Sequence, residues 1–193
     1  MPSYELDSFT PSRSIRVVAA TELLPPFSMR LLFWLIDPEN QVIWPTSTDQ
    51  LSATPSLEVP DELGYARFDG LWQNTCFELF LGTTKQSDYR EVNLSPTEAW
   101  NCYHFDSYRQ PDKMPPAQSQ DIQLLEIQAH PQKLHAVINV QGLLTHYNCQ
   151  LGDLRLGISS VLQLKSGKTQ FFALQHSGKQ ADFHRQQDWI AQL

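Results

Sequence analysis

The sequence predicts an all-β protein, an antiparallel β-sandwich with long loops and immunoglobulin-like layering, on three observations. Its short apolar runs alternate with period two rather than with the helical period. The runs come in pairs separated by turn residues, as hairpins do. Thirteen prolines and eight glycines punctuate the 193 residues, so few stretches are long enough for a helix. Several hairpins at close spacing pack most simply as two facing sheets.

Taken in order, "SMRLLFWLID" is a strand, and "DPEN" after it is a turn with Pro38 at its second position. "QVIW" then reads as the returning hairpin partner. The central pair is "TCFELFLG" and "YREVNLS", joined by the polar "TTKQSD". "LLEIQAHPQKLHAVINV" is strand, "HPQK" turn and strand, and "LRLGISSVLQLKSGKTQFFALQH" repeats the design around Ser166-Gly167. "GLLTHYN" and the terminal "RQQDWIAQL" are the helix candidates, each a turn or two long. Trp44–Glu62 and Asp106–Gln120, rich in Pro and polar residues, read as loops.

A chain of this length is expected to form one domain over residues 1–193. It is 41% hydrophobic and 18% charged, enough to fill a core and too little charged for disorder. A net charge of -7 repels phosphate backbones and anionic bilayers alike. Neither nucleic acid nor membrane is therefore an expected partner. "MPSYELDSFTPSRS" lacks a basic stretch followed by an apolar one, and the longest apolar runs are far too short to span a bilayer. Cys76, Cys102 and Cys149 form no CxxC pair. They read as small buried thiols in a reducing cytoplasm, the expected location. "Asn93-Leu94-Ser95" has the form of a glycosylation sequon, but with Pro96 next and no signal peptide it is set aside.

The central strands carry the lead on function. Side chains alternate across a strand, so Phe77, Leu79 and Leu81 share one face while Cys76, Glu78 and Phe80 share the other. In the next strand Arg90, Val92 and Leu94 oppose Tyr89, Glu91 and Asn93. One face of each strand suits a core. The other places carboxylate and amide groups where they must be solvated, paired or functional. Trp72 stands at the mouth of that second face.

The stretch "DGLWQNTCFELFLGTTKQSDYREVNLSPTEAWNCYHFDSYR" resembles DOMON-like domains related to family 9 carbohydrate-binding modules, and "FFALQHSGKQADFH" is similar to the ending of one bacterial branch of that group. The shared pattern is a Trp before a strand, a Glu within it, a Tyr-x-Glu-x-Asn strand, a Ser-Pro turn and an aromatic return strand. It covers roughly Leu63 to His184. The resemblance implies a β-sandwich that binds a sugar or, in some branches, haem. It implies Trp72 and Glu78 as ligand residues and Arg90 as a pocket arginine. Trp100, Tyr103 and Phe183 compete for the role of second stacking aromatic.

The expected function is thus non-catalytic binding of a sugar-like molecule. A pyranose stacks its C–H face on an indole while carboxylate, amide and guanidinium groups bond its hydroxyls. Trp72, Glu78, Arg90, Asn93, Trp100 and Tyr103 supply those types. The structural alternative has the tryptophans packing a core and Glu78 paired with Arg67 or Arg90. A metal site would draw on His176, Asp182 and His184 in "QHSGKQADFH". Loop capping is the preferred account of those residues, so no metal is expected. Haem lacks an axial His–Met pair, since Met29 and Met114 match no family position, so no cofactor is expected. No nucleophile elbow, P-loop or dinucleotide fingerprint appears. Glu78 and Glu91 on neighbouring strands leave glycoside hydrolysis as the enzymatic option. Exposed strand edges leave room for a protein-interaction module or a homo-oligomer.

Overall fold

The computed structural model describes residues 1–12, 14–55 and 63–191. β1 (Ser3–Ser8), β2 (Arg16–Leu24) and β3 (Ser28–Ile36) open the chain. β4 (Thr54–Pro55) and β5 (Phe68–Asp69) form a small separate ladder. β6 (Cys76–Gly82), β7 (Tyr89–Leu94), β8 (Trp100–Phe105) and β9 (Ala117–Gln118) run as a meander. The hairpin β10 (Gln123–His130) and β11 (Lys133–Asn139), the helix α1 (Gln141–Tyr147) and the hairpin β12 (Arg155–Gln163) and β13 (Thr169–Ala173) complete the order.

Eleven of these strands form one antiparallel sheet in the order β10-β11-β3-β2-β1-β13-β12-β6-β7-β8-β9. β1 is its fold line. Residues Ser3 to Leu6 pair with β2, while Asp7 and Ser8 pair with β13. The sheet therefore curls into two facing layers, and Phe33 of β3 meets Phe77 of β6 with ring centroids 4.8 Å apart. Val17, Leu31, Phe33, Leu134 and Ile138 of one layer pack on Phe77, Leu79, Leu81, Val92 and Ile158 of the other. Each such side chain contributes about 1.5–3 kcal/mol through burial, so this interface is the main stabilising element.

Three expectations change. "QVIW" is not the partner of β3. β3 lies between β2 and β11, and Val42 makes only an isolated bridge to Leu164. Asn40 takes a left-handed conformation, φ 51°, and the Asp37 carboxylate accepts the Val42 N–H at 2.8 Å. Together they send the chain across to the β12–β13 end. Over its described residues 185–191, "RQQDWIAQL" forms a short 3-10 turn at Gln186–Asp188, because Trp189 is drawn into the sheet surface. The loop expected over Trp44–Glu62 carries a 3-10 turn at Thr48–Gln50 and the short strand β4, and its residues 56–62 lie outside those described. "GLLTHYN" does form α1, closed by Asn148 at φ 48°, a conformation Asn tolerates.

The central strands depart from a half-exposed sandwich strand. Every residue of β6 and of β7 is buried. The core face is covered by the facing layer, as expected. The outer face is covered too, by the segment after β13 and by the loops before β6 and after β8. There Phe80, Tyr89, Tyr103, Phe105 and Trp189 form a second apolar cluster, edged by Trp72 and Phe183. Gly157 makes this possible, since a β carbon at that position would lie 2.3 Å from the Trp189 ring. Among the described residues no helix is long and apolar enough to cross a membrane.

Candidate functional site

Register across β12, β6, β7 and β8 builds the site on the outer face. One row sets Ser159, Glu78, Asn93 and Asn101 side by side, and the next sets Gly157, Phe80, Glu91 and Tyr103. Glu78 and Glu91 are thus diagonal neighbours, a separation at which side chains still interact. Above them lies a groove of about 220 Å³, floored by Glu78 and Glu91 and walled by Trp72, Phe80, Phe105, Phe171 and Phe183. That is below the roughly 300 Å³ at which drug-sized pockets begin, so the groove suits one small ligand.

The floor is polar and nearly inaccessible to solvent. Glu78 is 2% exposed and accepts a hydrogen bond from Ser159 Oγ at 2.9 Å. Glu91 is 5% exposed and accepts one from Asn93 Nδ2 at 2.9 Å. Burial pushes the Glu78 carboxyl up to about 8, and the nearby Glu91 adds to the rise. Burial likewise pushes Glu91 up to about 7, against the opposing pull of Asn93 and Arg109. Carboxyls held this high give one ligand both a donor and an acceptor near neutral pH.

His184 closes one side. Tyr89 Oη accepts the Arg109 backbone N–H at 3.1 Å and lies 2.7 Å from His184 Nδ1. The direction of the Tyr89–His184 bond follows the imidazole tautomer, and Nε2 lies 3.6 Å from Glu91 Oε2. Burial, followed by the Arg109 charge, pushes His184 down to about 3. It is neutral over the ordinary pH range. Arg109 sits at the rim in a left-handed conformation, φ 52°. Its guanidinium is bound to Asp182 at 2.9 Å, and Tyr108 donates to the same carboxylate.

Of the six residues expected in a ligand site, Trp72 and Glu78 line the groove. Asn93 supports the floor through Glu91, and Tyr103 stands behind Trp72, ring edge to face at 5.5 Å. The Tyr103 hydroxyl is committed to Asp69 at 2.9 Å. Arg90 and Trp100 are not brought to the groove. Alternation places both on the core face, where Arg90 pairs with Asp121 and Asp88 and Trp100 packs in the main core under the Arg67 guanidinium, 4.4 Å from its ring centre. Glu78 therefore pairs with neither arginine. Phe183, the third aromatic candidate, does line the groove.

His176, Asp182 and His184 do not assemble as metal ligands. His176 bonds the Asp7 carbonyl at 2.9 Å, Asp182 holds Arg109, and His184 holds Tyr89. No group of three such residues arranged to hold a metal occurs among the described residues. Cys76 and Cys102 are buried and Cys149 is half-buried, all three as free thiols. Sequence reasoning missed Arg109, Ser159, Phe105 and Phe171 as site residues. Ser159 and Phe171 share the outward phase of their strands, but only the register of β12 between β6 and β13 brings them beside Glu78.

No family model matches the chain, and no curated protein matches it. In fold it is similar to the crystal structure of a Bacteroides uniformis protein provisionally assigned to carbohydrate binding, with a TM-score of 0.60 over 97% of this chain and 84% of the other, at 11% identity.

Proposed function

We propose that this chain is a DOMON-like domain, related to family 9 carbohydrate-binding modules, that binds a sugar-like ligand without turning it over. The observation that carries the reading is the aromatic-walled groove with a carboxyl pair at its floor. Trp72 and the phenylalanine rings offer apolar faces to a sugar's C–H surface. Glu78 and Glu91 bond its hydroxyls in a site that excludes water, where such bonds discriminate strongly. The fold shared with the Bacteroides uniformis protein agrees with this reading.

The test is a calorimetric and fluorescence titration with mono-, di- and nucleotide-sugars on wild type, Trp72→Ala and Trp100→Phe. Saturable binding lost in Trp72→Ala and kept in Trp100→Phe supports the groove. A folded protein that responds to no sugar sinks it.

A second reading, glycoside hydrolysis, is favoured by the raised pKa of both floor carboxyls. One protonated and one ionised carboxyl is the pairing that such hydrolysis uses, the first protonating the leaving oxygen and the second activating water. Release of chromophore from aryl glycosides, abolished by Glu78→Gln, supports this reading. Binding without release rejects it.

A further inference from the structure

The charges around the groove do not balance, and the imbalance sits at its floor. At the mouth, Arg109 is bound to Asp182, and Lys113 and Asp112 stand on the same rim. Those four charges are two of each sign, and of them the Arg109 charge reaches the floor carboxyls through space without bonding either. The floor has two carboxyls and no cation bonded to either. The hydrogen-bond partners of Glu78 and Glu91 are the neutral Ser159 and Asn93. His184 Nε2 is 3.6 Å from Glu91, too far for a good hydrogen bond. Burial keeps its ring neutral, so it supplies no charge. The other titratable neighbours, Cys76 beside Glu78 and Tyr89 beside Glu91, are neutral in their protonated forms.

A buried carboxylate without a counter-charge is costly. Of the aromatic rings lining the groove with this pair, those of Trp72, Phe171 and Phe183 are part-exposed, while Phe80 and Phe105 are buried against Trp189 and Tyr89. Ring faces attract cations and discourage anions. Aromatic walls over a carboxylate floor form a cage for an organic ammonium group. A neutral sugar would use the rings and leave a proton, rather than a counter-ion, on the carboxyl pair.

We infer that the groove selects a ligand bearing an ammonium group, such as an amine-substituted sugar, with the charged nitrogen seated between Glu78 and Glu91 and the carbon skeleton against Trp72. This rests on the sugar-groove reading for the place of the site and adds the charge of its ligand. The ammonium takes the position that a proton otherwise holds on the pair, so each binding event releases a proton to solvent.

The experiment is isothermal titration at neutral pH with four probes. They are methyl glucoside, the analogue with an amine in place of its primary hydroxyl, the N-acetylated form of that amine, and choline. An alkyl amine stays charged under these conditions. The expected result is binding of the amine at least about tenfold tighter than either neutral sugar, from one desolvated charge pair. The heat should differ between buffers of different ionisation enthalpy, reporting the released proton. Combining Glu78→Gln with Glu91→Gln should abolish the preference, so that the variant binds the amine no more tightly than the neutral sugars. Equal affinity for all three sugars, or a preference that survives in the double variant, overturns the inference and leaves the sugar groove standing. Choline binding without any sugar binding upholds the cation cage and rejects the sugar reading. Silence with all four probes rejects both.

Discussion

Arg90 and Glu91 are consecutive, both nearly inaccessible to solvent, and point to opposite faces of β7. Arg90 turns into the core side and is answered there by Asp121 and Asp88. Glu91 turns outward to the groove, where its hydrogen-bond donor is an amide. One strand thus holds an ion-paired arginine and a carboxyl with no cation bonded to it back to back. The period-two alternation of a strand keeps them from neutralising each other.

Arg90 should be needed for folding and not for ligand contact. Arg90→Ala leaves Asp121 and Asp88 without their buried partner and opens a void. It is expected to cost about 3–5 kcal/mol, the usual penalty for breaking a buried pair. Urea unfolding measures it. A loss under about 1 kcal/mol would place Arg90 among the weak surface-type pairs instead.

Stability should depend on pH in two opposed ways. Glu78 and Glu91 have folded pKa values near 8 and 7, above an unfolded value of 4.5. Between those limits the unfolded chain releases protons that the folded chain keeps, so stability falls as pH rises. His184 is held down to about 3 from 6.5, so the unfolded chain binds its proton first and stability rises with pH through that window. The two effects oppose each other between about 4.5 and 6.5. The fall is unopposed from about 6.5 to 8. Glu78→Gln should flatten that fall and raise stability at pH 8 by on the order of a few kcal/mol. Thermal melts at intervals of pH on both proteins check it. A wild-type curve that is level from pH 6.5 to 8 contradicts the assignment.

Gly157→Ala tests the cover on the outer face. The new methyl would overlap the Trp189 ring, which is buried and stacked on Phe80 at 5.6 Å. Overpacking of this kind costs about 1–3 kcal/mol. Differential scanning calorimetry should show a drop in Tm of several degrees. Tryptophan emission should shift as Trp189 leaves its site. An unchanged Tm would mean that the terminal segment repacks freely.

Trp72 and Trp100 should separate cleanly by quenching. Trp72 is half-buried at the groove, and Trp100 is fully buried in the core. Acrylamide should quench the emission lost in Trp72→Ala far more than that lost in Trp100→Phe. Trp72→Ala should cost less stability than the roughly 3–5 kcal/mol of a core aromatic truncation. Equal quenching of the two would contradict the placement.

The sequence by itself determined the all-β class, the hairpins at Pro131-Gln132 and Ser166-Gly167, the central pair β6–β7 and the split of Phe77, Leu79 and Leu81 from Glu78. These are local matters, settled by alternation and by turn chemistry within about twenty residues. It also marked Trp72 and Glu78, because a carboxylate in a buried strand and an indole before it conflict with simple core packing. The tertiary structure alone decided the rest. That β2 rather than "QVIW" pairs with β3, and that β1 belongs to both layers, depends on contacts between distant segments, to which local propensity is blind. The groove depends on them more strongly still. Glu78, Glu91, Arg109, Ser159, Phe171 and His184 come from six separate strands and loops, and register and the return of the segment after β13 bring them together. Period two told which way each side chain points, but not what it would meet there.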